Sequence, residues 1–294
     1  MSLLLSLFRP LYDSIFSALP FRYRWRLLFL QLISLISAFL TAIPWIFSQR
    51  YSIYWIPTRN GGSVRAIVFM PPKRDGDNRL RPLHLDIHGG AFIGGLAEYN
   101  ASWCARLSDE IGAVVVSSMY RCAPKHIFPA AIDDIDDVVG YLFENAEAKL
   151  GSDPKLFTPR EKPKPPKFPA KDPLWFLFPL FDAYPALARA SNLENPRLNP
   201  IVADIKTLPD DMLLVVAALD ILVHEQLTFA ERVKADIEAE GDGGWLRRAE
   251  AIVFENCFHG WLELPSLFIN EKTRTDAFDA GCMFIKEAHK KTRV

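Results

Sequence analysis

Short apolar runs alternate with longer amphipathic segments along most of this chain. The runs at residues 51–57 and 64–70 flank Asn60-Gly61-Gly62, a sequence typical of a β-hairpin turn. Further strands are predicted at 83–87, 113–116, 212–218 and 250–255, and helices at 99–111, 130–148, 223–240 and 274–289. Strands that alternate with helices predict an α/β fold with a doubly wound, mostly parallel sheet.

The alternation breaks at residues 151–173, which contain seven prolines and more basic than acidic side chains. Because proline cannot donate a hydrogen bond to a sheet, we expect an extended loop or junction here and no central strand. Residues 174–190 are rich in aromatic side chains and predict a short lid helix. The body is therefore predicted as one domain, 51–294, with a Pro/Lys-rich junction at 151–173.

The N-terminal segment, residues 1–50, is unusually apolar. Residues 27–49 contain no charged side chain, and Arg22, Arg24 and Arg26 come just before them. A helix of this length could cross a hydrocarbon core of about 30 Å, so we predict a single-pass membrane anchor, which would fit the endoplasmic reticulum. The alternative is that the segment forms apolar helices that cap the α/β domain of a soluble protein.

Charge and cysteine content exclude some classes of function. The formal net charge of −1 gives no reason to expect nucleic acid as a partner. Cys104, Cys122, Cys257 and Cys282 are far apart and match no metal or redox spacing. We therefore expect buried free thiols, or a disulfide if the protein lies in an oxidising compartment.

The segment His88-Gly89-Gly90-Ala91-Phe92 follows the predicted strand 83–87. Glycines after a strand allow a sharp turn in which successive N–H groups point toward one site. An acyl-transfer enzyme forms its oxyanion hole in this way. The segment is therefore a candidate oxyanion loop.

Asp220 and His259 each lie just beyond the end of a predicted strand. Open α/β sheets place their functional sites at these strand ends. An acid followed by a histidine, both after an oxyanion loop, matches the end of the chain order Ser…Asp…His. In that arrangement the carboxylate orients the imidazole, which acts as the general base.

Several motifs occur together in one order: the His-Gly-Gly loop, Tyr120-Arg121-Cys122-Ala123-Pro124, Phe128-Pro129-Ala130-Ala131 and Phe258-His259-Gly260-Trp261. With them the chain resembles the hormone-sensitive-lipase-like branch of the α/β-hydrolase fold, which includes arylacetamide-deacetylase-like esterases. The resemblance covers roughly residues 51–290 and implies a serine carboxylester hydrolase that needs no cofactor. It implies oxyanion donors at Gly89, Gly90 and Ala91, the acid at Asp220 and the base at His259.

The nucleophile of that family is missing. No G-x-S-x-G sequence occurs in the 294 residues, and the segment that should carry it is short by about fifty residues. That length corresponds to a strand, elbow, helix and strand, so we predict a sheet that lacks two central strands. Without an elbow context, none of four other candidates is predicted to replace the nucleophile: Ser117, Ser118, Ser152 and Cys257.

These features predict a member of a serine carboxylester hydrolase family that is inactive as written, with small-molecule esters as substrates of a complete relative. The alternative is a non-catalytic, membrane-anchored binding or regulatory protein on a hydrolase scaffold. A metal-dependent hydrolase is not favoured, because His84 and His88 would lie about 13 Å apart on a strand, too far to share an ion. We predict neither a metal nor a cofactor.

Overall fold

The computed structural model describes residues 3–17, 21–72, 80–158, 184, 191–220, 222–240, 247–263 and 269–292. These residues form two compact units, the first up to Thr158 together with Tyr184, and the second from Ser191 onward. The predicted lid helix at 174–190 lies outside the described residues, apart from Tyr184.

The first unit is built on a five-stranded sheet in the order β1-β2-β4-β3-β5. Its strands are β1 (Ser52–Pro57), β2 (Ser63–Phe69), β3 (Arg81–Ile87), β4 (Val114–Ser118) and β5 (Ser152–Thr158). The β1–β2 and β2–β4 pairs are antiparallel, whereas β3 pairs in parallel with both β4 and β5. The predicted hairpin, the parallel core and the α/β class are confirmed.

The described residues of the first unit form five α-helices: α1 (Leu3–Phe16), α2 (Phe21–Thr41), α3 (Ile43–Ile46), α4 (Ala101–Ile111) and α5 (Ala130–Leu150). The helix α5 has Asp133 in its first turn and Lys149 in its last, as the helix dipole favours. Its buried residues Val138, Leu142 and Ala146 share one apolar core with the inner residues of β3 and β4. The burial of these apolar side chains away from water stabilises the packing of α5 against the sheet.

The strand β5 occupies part of the segment that was predicted as a loop. Ser152–Thr158 pairs with β3 at one edge of the sheet, so the expectation of an extended loop is wrong for these residues. Asp153 and Phe157 pair with adjacent residues of β3, and the residues between them, including Pro154, have no partner in that strand. A bulge of this kind at an edge accommodates a residue that cannot donate to the sheet. The predicted loss of two central strands stays a prediction.

The second unit contains two parallel strands and two long helices: β6 (Asp211–Leu219), α6 (Val223–Ala239), β7 (Arg248–Phe258) and α7 (Glu271–Thr292). All four confirm predicted elements, with bounds that differ by a few residues. Phe229 and Val233 of α6 pack against Leu214 and Val216 of β6. The carboxyl ends of β6 and β7 meet at one edge, because the strands are parallel neighbours.

The N-terminal segment, predicted as a membrane anchor or a cap, forms the helices α1 to α3. The apolar run 27–49 is divided, because α2 ends before Pro44, which lies in the separate short helix α3. No helix within the described residues is both long and apolar enough to span a bilayer, so the predicted single-pass anchor is not supported. Instead Ala38 and Ala42 pack against Leu96, as the alternative of N-terminal helices that cap the body predicts.

Candidate active site

The candidate oxyanion loop turns sharply after β3. Gly90 has a φ of 126°, and Ala91 and Phe92 have φ values of 51° and 61°, in the left-handed region. A Cβ atom on Gly90 would lie 2.0 Å from the carbonyl oxygen of Gly94, so only glycine fits there. The N–H of Ile93 donates to the carbonyl oxygen of Gly90 at 2.9 Å and closes the turn.

The three predicted oxyanion donors are Gly89, Gly90 and Ala91. Their N–H groups donate to no residue in the part of the chain that the structure describes. The left-handed conformation of Ala91 is about 1–2 kcal/mol less favourable for an L-residue than the right-handed one. Backbone strain of this size is common at functional sites. The loop therefore has donors available for a negative oxygen.

Tyr120, which follows β4, supports the loop. Its hydroxyl lies 3.1 Å from the carbonyl oxygen of His88 and 3.3 Å from that of Gly89, and its ring stacks on the His88 imidazole. Both carbonyl oxygens therefore face Tyr120. Because a trans peptide places its N–H opposite its carbonyl oxygen, the N–H groups of Gly89 and Gly90 face away from Tyr120.

Asp220 and His259 come together at the carboxyl ends of β6 and β7. Oδ1 of the buried Asp220 carboxylate lies 3.0 Å from Nδ1 of His259 and also accepts the backbone N–H of Leu222 at 2.9 Å. The His259 side chain is 44% exposed. With Nδ1–H donated to the carboxylate, Nε2 is the acceptor that can take a proton from an external group.

The loop and the Asp220–His259 pair lie in different units. The loop residues Gly89, Gly90 and Ala91 belong to the first unit, and the pair belongs to the second. Each group has a local geometry that suits its predicted role. The assembly of both groups into one catalytic site stays a prediction.

The hydroxyls and thiol considered as nucleophiles are buried. Ser117 and Ser118 are fully buried in β4, and the Ser117 hydroxyl donates to Asp86 at 2.7 Å. Ser152 is buried at the start of β5 rather than exposed at a turn between a strand and a helix. Burial raises the pKa of the Cys257 thiol to about 11, so little thiolate is present at neutral pH. None of these side chains is an exposed, activated nucleophile.

The described residues contain no group of three His, Cys, Asp or Glu side chains placed to hold one metal ion. His84 is buried within β3, and Nδ1 of His88 lies 2.6 Å from the carbonyl oxygen of Gly89. The four cysteines are free thiols, and three of them are buried. His84 is therefore part of the sheet, and His88 is part of the loop.

A buried ion pair next to the loop was missed by sequence reasoning. Arg65 on β2 donates two hydrogen bonds to Glu98, and both side chains are buried. The Tyr51 hydroxyl also donates to Glu98, and burial together with the Glu98 charge raises the pKa of Tyr51 to about 12. The sequence feature that could have indicated this ion pair is Arg65 itself, a charged residue within the otherwise apolar run 64–70.

A cleft of about 380 Å³ opens beside the loop in the first unit. Trp55, Gly95, Tyr120 and His126 contribute to its walls, and Asp13 enters from α1. Small-molecule sites commonly have volumes of about 300–1,000 Å³ and mix aromatic surface with a few polar groups. The cleft has the size and lining of such a site.

Comparison with known proteins extends these observations. A family model described as the α/β hydrolase fold matches residues 84–158, from β3 to β5. The chain is 35% identical over 98 residues to ethyl acetate hydrolase of Pseudomonas putida, a match that covers 33% of this chain and 30% of that protein. It is 38% identical over 89 residues to arylacetamide deacetylase-like 2 of Homo sapiens, which covers 28% of this chain and 21% of that protein. The matches thus span less than a third of these relatives.

Solved structures resemble the chain over a greater length. An esterase from Pyrobaculum calidifontis is 24% identical with a TM-score of 0.67, and the match covers 87% of this chain and 90% of that one. A thermophilic carboxylesterase cloned from a metagenomic library is 22% identical with a TM-score of 0.68, over 88% of this chain and 97% of that one. At these identities the similarity concerns the fold alone.

Proposed function

We propose that this chain, which belongs to the α/β-hydrolase fold family, is a carboxylesterase-like protein without serine-hydrolase activity. The proposal rests on a retained Asp220–His259 pair in a chain with no G-x-S-x-G sequence. In serine esterases of this fold, a serine at the elbow between a strand and a helix attacks the ester carbonyl carbon. Without that serine, the remaining groups cannot form an acyl-enzyme.

The retained groups would act on different atoms of the same reaction. The Nε2 atom of His259 would accept the proton of a nucleophile and return it to the leaving alcohol, while Asp220 stabilises the charged imidazole. The N–H groups of Gly89, Gly90 and Ala91 would stabilise the negative oxygen of the tetrahedral intermediate. Both roles require a nucleophile within hydrogen-bond reach of the imidazole, and this chemistry needs no cofactor.

For a relative that has the elbow, we propose small carboxylic esters as the substrate class. The ethyl acetate hydrolase that matches part of this chain is named for a small ester. A general base and an oxyanion loop suit acyl transfer from an ester to water. The same two groups are retained here.

A second proposal is that the chain binds a small molecule without converting it. The cleft beside the loop supports this proposal, because its volume of about 380 Å³ suits a small ligand and its lining does not include His259. Under this proposal, ligand binding measured by calorimetry would be unchanged in His259→Ala and weakened in Trp55→Ala.

Labelling with a serine-directed fluorophosphonate tests the first proposal. We expect no labelling of the chain, and hydrolysis of p-nitrophenyl acetate no faster than in the His259→Ala and Asp220→Asn variants. An active serine carboxylesterase in the same assay is the positive control. Stoichiometric labelling that is abolished by His259→Ala would refute the proposal.

Sequencing the genomic DNA around codons 150–160 tests whether the nucleophile is absent from the gene or only from this gene product. An in-frame segment that encodes Gly-x-Ser-x-Gly would identify this chain as one product of an esterase gene. If no such segment exists, the loss belongs to the gene itself. Either result leaves the labelling prediction for this chain unchanged.

A further inference from the structure

The outward face of α2 is apolar along most of its length. Trp25, Phe29, Leu32, Ile36 and Phe39 recur every three or four residues, and each side chain is between 45% and 61% exposed. At 1.5 Å per residue the stripe extends over about 21 Å on one side of the helix. In an ordinary surface helix such a stripe faces the protein core.

The inward face of α2 carries both apolar and polar side chains, and the fully buried Leu27 lies on it. The Gln31 side-chain amide donates to the carbonyl oxygen of Ile93 at 2.7 Å, and the Ser34 hydroxyl lies 2.9 Å from that of Tyr99. Ala38 is buried on the same side. These positions are two residues out of step with the apolar stripe, which places them on the opposite side of the helix. This mixed face of α2 therefore meets the protein, and the apolar stripe points away from it.

The helix α1 and the segments next to α2 add to the exposed apolar surface. Phe8, Tyr12 and Phe16 of α1 are exposed, as are Phe21 at the start of α2 and Phe47 after α3. Monomeric soluble proteins rarely expose apolar patches larger than a few hundred Å². An apolar surface of this kind marks an interaction site.

The charge of this region indicates what it contacts. Residues 1–49 contain four arginines and a single acidic residue, Asp13. Arg24 and Arg26 lie in the first turns of α2, and the Arg26 guanidinium lies 4.9 Å from the ring centroid of Trp25. Two copies of this basic surface would repel each other. Anionic lipid headgroups would attract the arginines, and the acyl boundary beneath them accepts aromatic and aliphatic side chains.

We propose that α1 and α2 bind the surface of an anionic phospholipid bilayer, with α2 parallel to the membrane and its stripe at the boundary between headgroups and acyl chains. This mode requires no membrane-spanning helix. Because Gln31 and Ser34 hold α2 to the body of the first unit, binding also brings the candidate oxyanion loop to the membrane. The proposal is independent of whether the chain is an enzyme.

Sedimentation of the full chain with lipid vesicles tests the proposal. Binding is expected to vesicles of phosphatidylcholine with about 30% phosphatidylserine, and to weaken with added salt or without phosphatidylserine. The double variant Phe29→Ser/Ile36→Ser should lower the partition coefficient by about tenfold or more, because two large side chains no longer leave water on binding. Arg24→Gln/Arg26→Gln should lower it only for the anionic vesicles.

Phe143→Ser/Met283→Ser is the matched control. These side chains are exposed to a similar degree but lie on α5 and α7, so their loss should leave vesicle binding unchanged. Thermal unfolding checks that every variant is folded. Absence of binding by the wild-type chain, or equal binding by the Phe29/Ile36 variant, overturns the proposal. A wild-type dimer that this variant dissociates overturns it as well, and assigns the face to a second copy of the chain.

Discussion

The substitution Gly90→Ala tests whether the turn of the candidate oxyanion loop depends on glycine. The added Cβ would lie 2.0 Å from the carbonyl oxygen of Gly94 and 2.9 Å from its carbonyl carbon. Both are backbone atoms, so no side-chain rotation can relieve the overlap. The loop itself must move.

Two unfavourable effects determine how much the free energy of unfolding of Gly90→Ala should fall. An L-residue at the Gly90 φ of 126° is strained by about 1–3 kcal/mol. Overpacking against a fixed neighbour costs about 1–3 kcal/mol more. The lower conformational entropy of alanine in the unfolded chain offsets about 0.4–1 kcal/mol. We therefore expect the free energy of unfolding to fall by about 3 kcal/mol.

Gly140→Ala is the matched control, because Gly140 lies within α5 and an added Cβ would meet no heavy atom within 4 Å. Alanine is favoured over glycine in a helix by about 1 kcal/mol, so this variant should be more stable than the wild type. Urea unfolding followed by tryptophan fluorescence should show the two midpoints shifted in opposite directions. A Gly90→Ala midpoint equal to that of the wild type would refute the argument that the turn requires glycine.

Two further predictions concern buried groups. Glu98→Gln should lower the free energy of unfolding by about 3 kcal/mol because it leaves the buried Arg65 charge unpaired, whereas Glu110→Gln in a partly exposed pair should change it by less than about 0.5 kcal/mol. Equal urea midpoints for these variants would contradict the assignment. Burial raises the pKa of Cys257 to about 11, so its native alkylation by iodoacetamide should be at least about a hundredfold slower than in urea. Similar native and unfolded rates by mass spectrometry would show that this thiol is accessible.

The regular elements were predictable from sequence because their signals are local. The hairpin at Asn60-Gly61-Gly62, the strand at 83–87 and the helix at 130–148 were identified from periodicity and turn residues. All three are present within a few residues of the predicted bounds. Each depends on interactions within one short segment or with its neighbour in the chain.

The strand β5 could not be found in this way. Its seven residues, Ser152–Thr158, contain Pro154 and no regular alternation of apolar and polar side chains. They form a strand because β3 provides a partner, and the bulge around the proline tolerates the missing donor. The signal for this strand lies about seventy residues away in β3, beyond any local pattern.

Sequence alone determined the chemical groups of this protein: the glycines of the candidate oxyanion loop, an acid followed by a histidine, and no G-x-S-x-G. Tertiary structure decided which of these groups meet. Asp220 and His259 are 39 residues apart in the chain, yet they lie 3.0 Å apart because β6 and β7 are parallel neighbours. Structure also decided the orientation of α2. The Gln31 side chain donates a hydrogen bond to the body of the first unit, and the apolar stripe lies on the opposite, exposed side of the helix. Periodicity indicates which side chains share a face, but only packing decides what that face contacts.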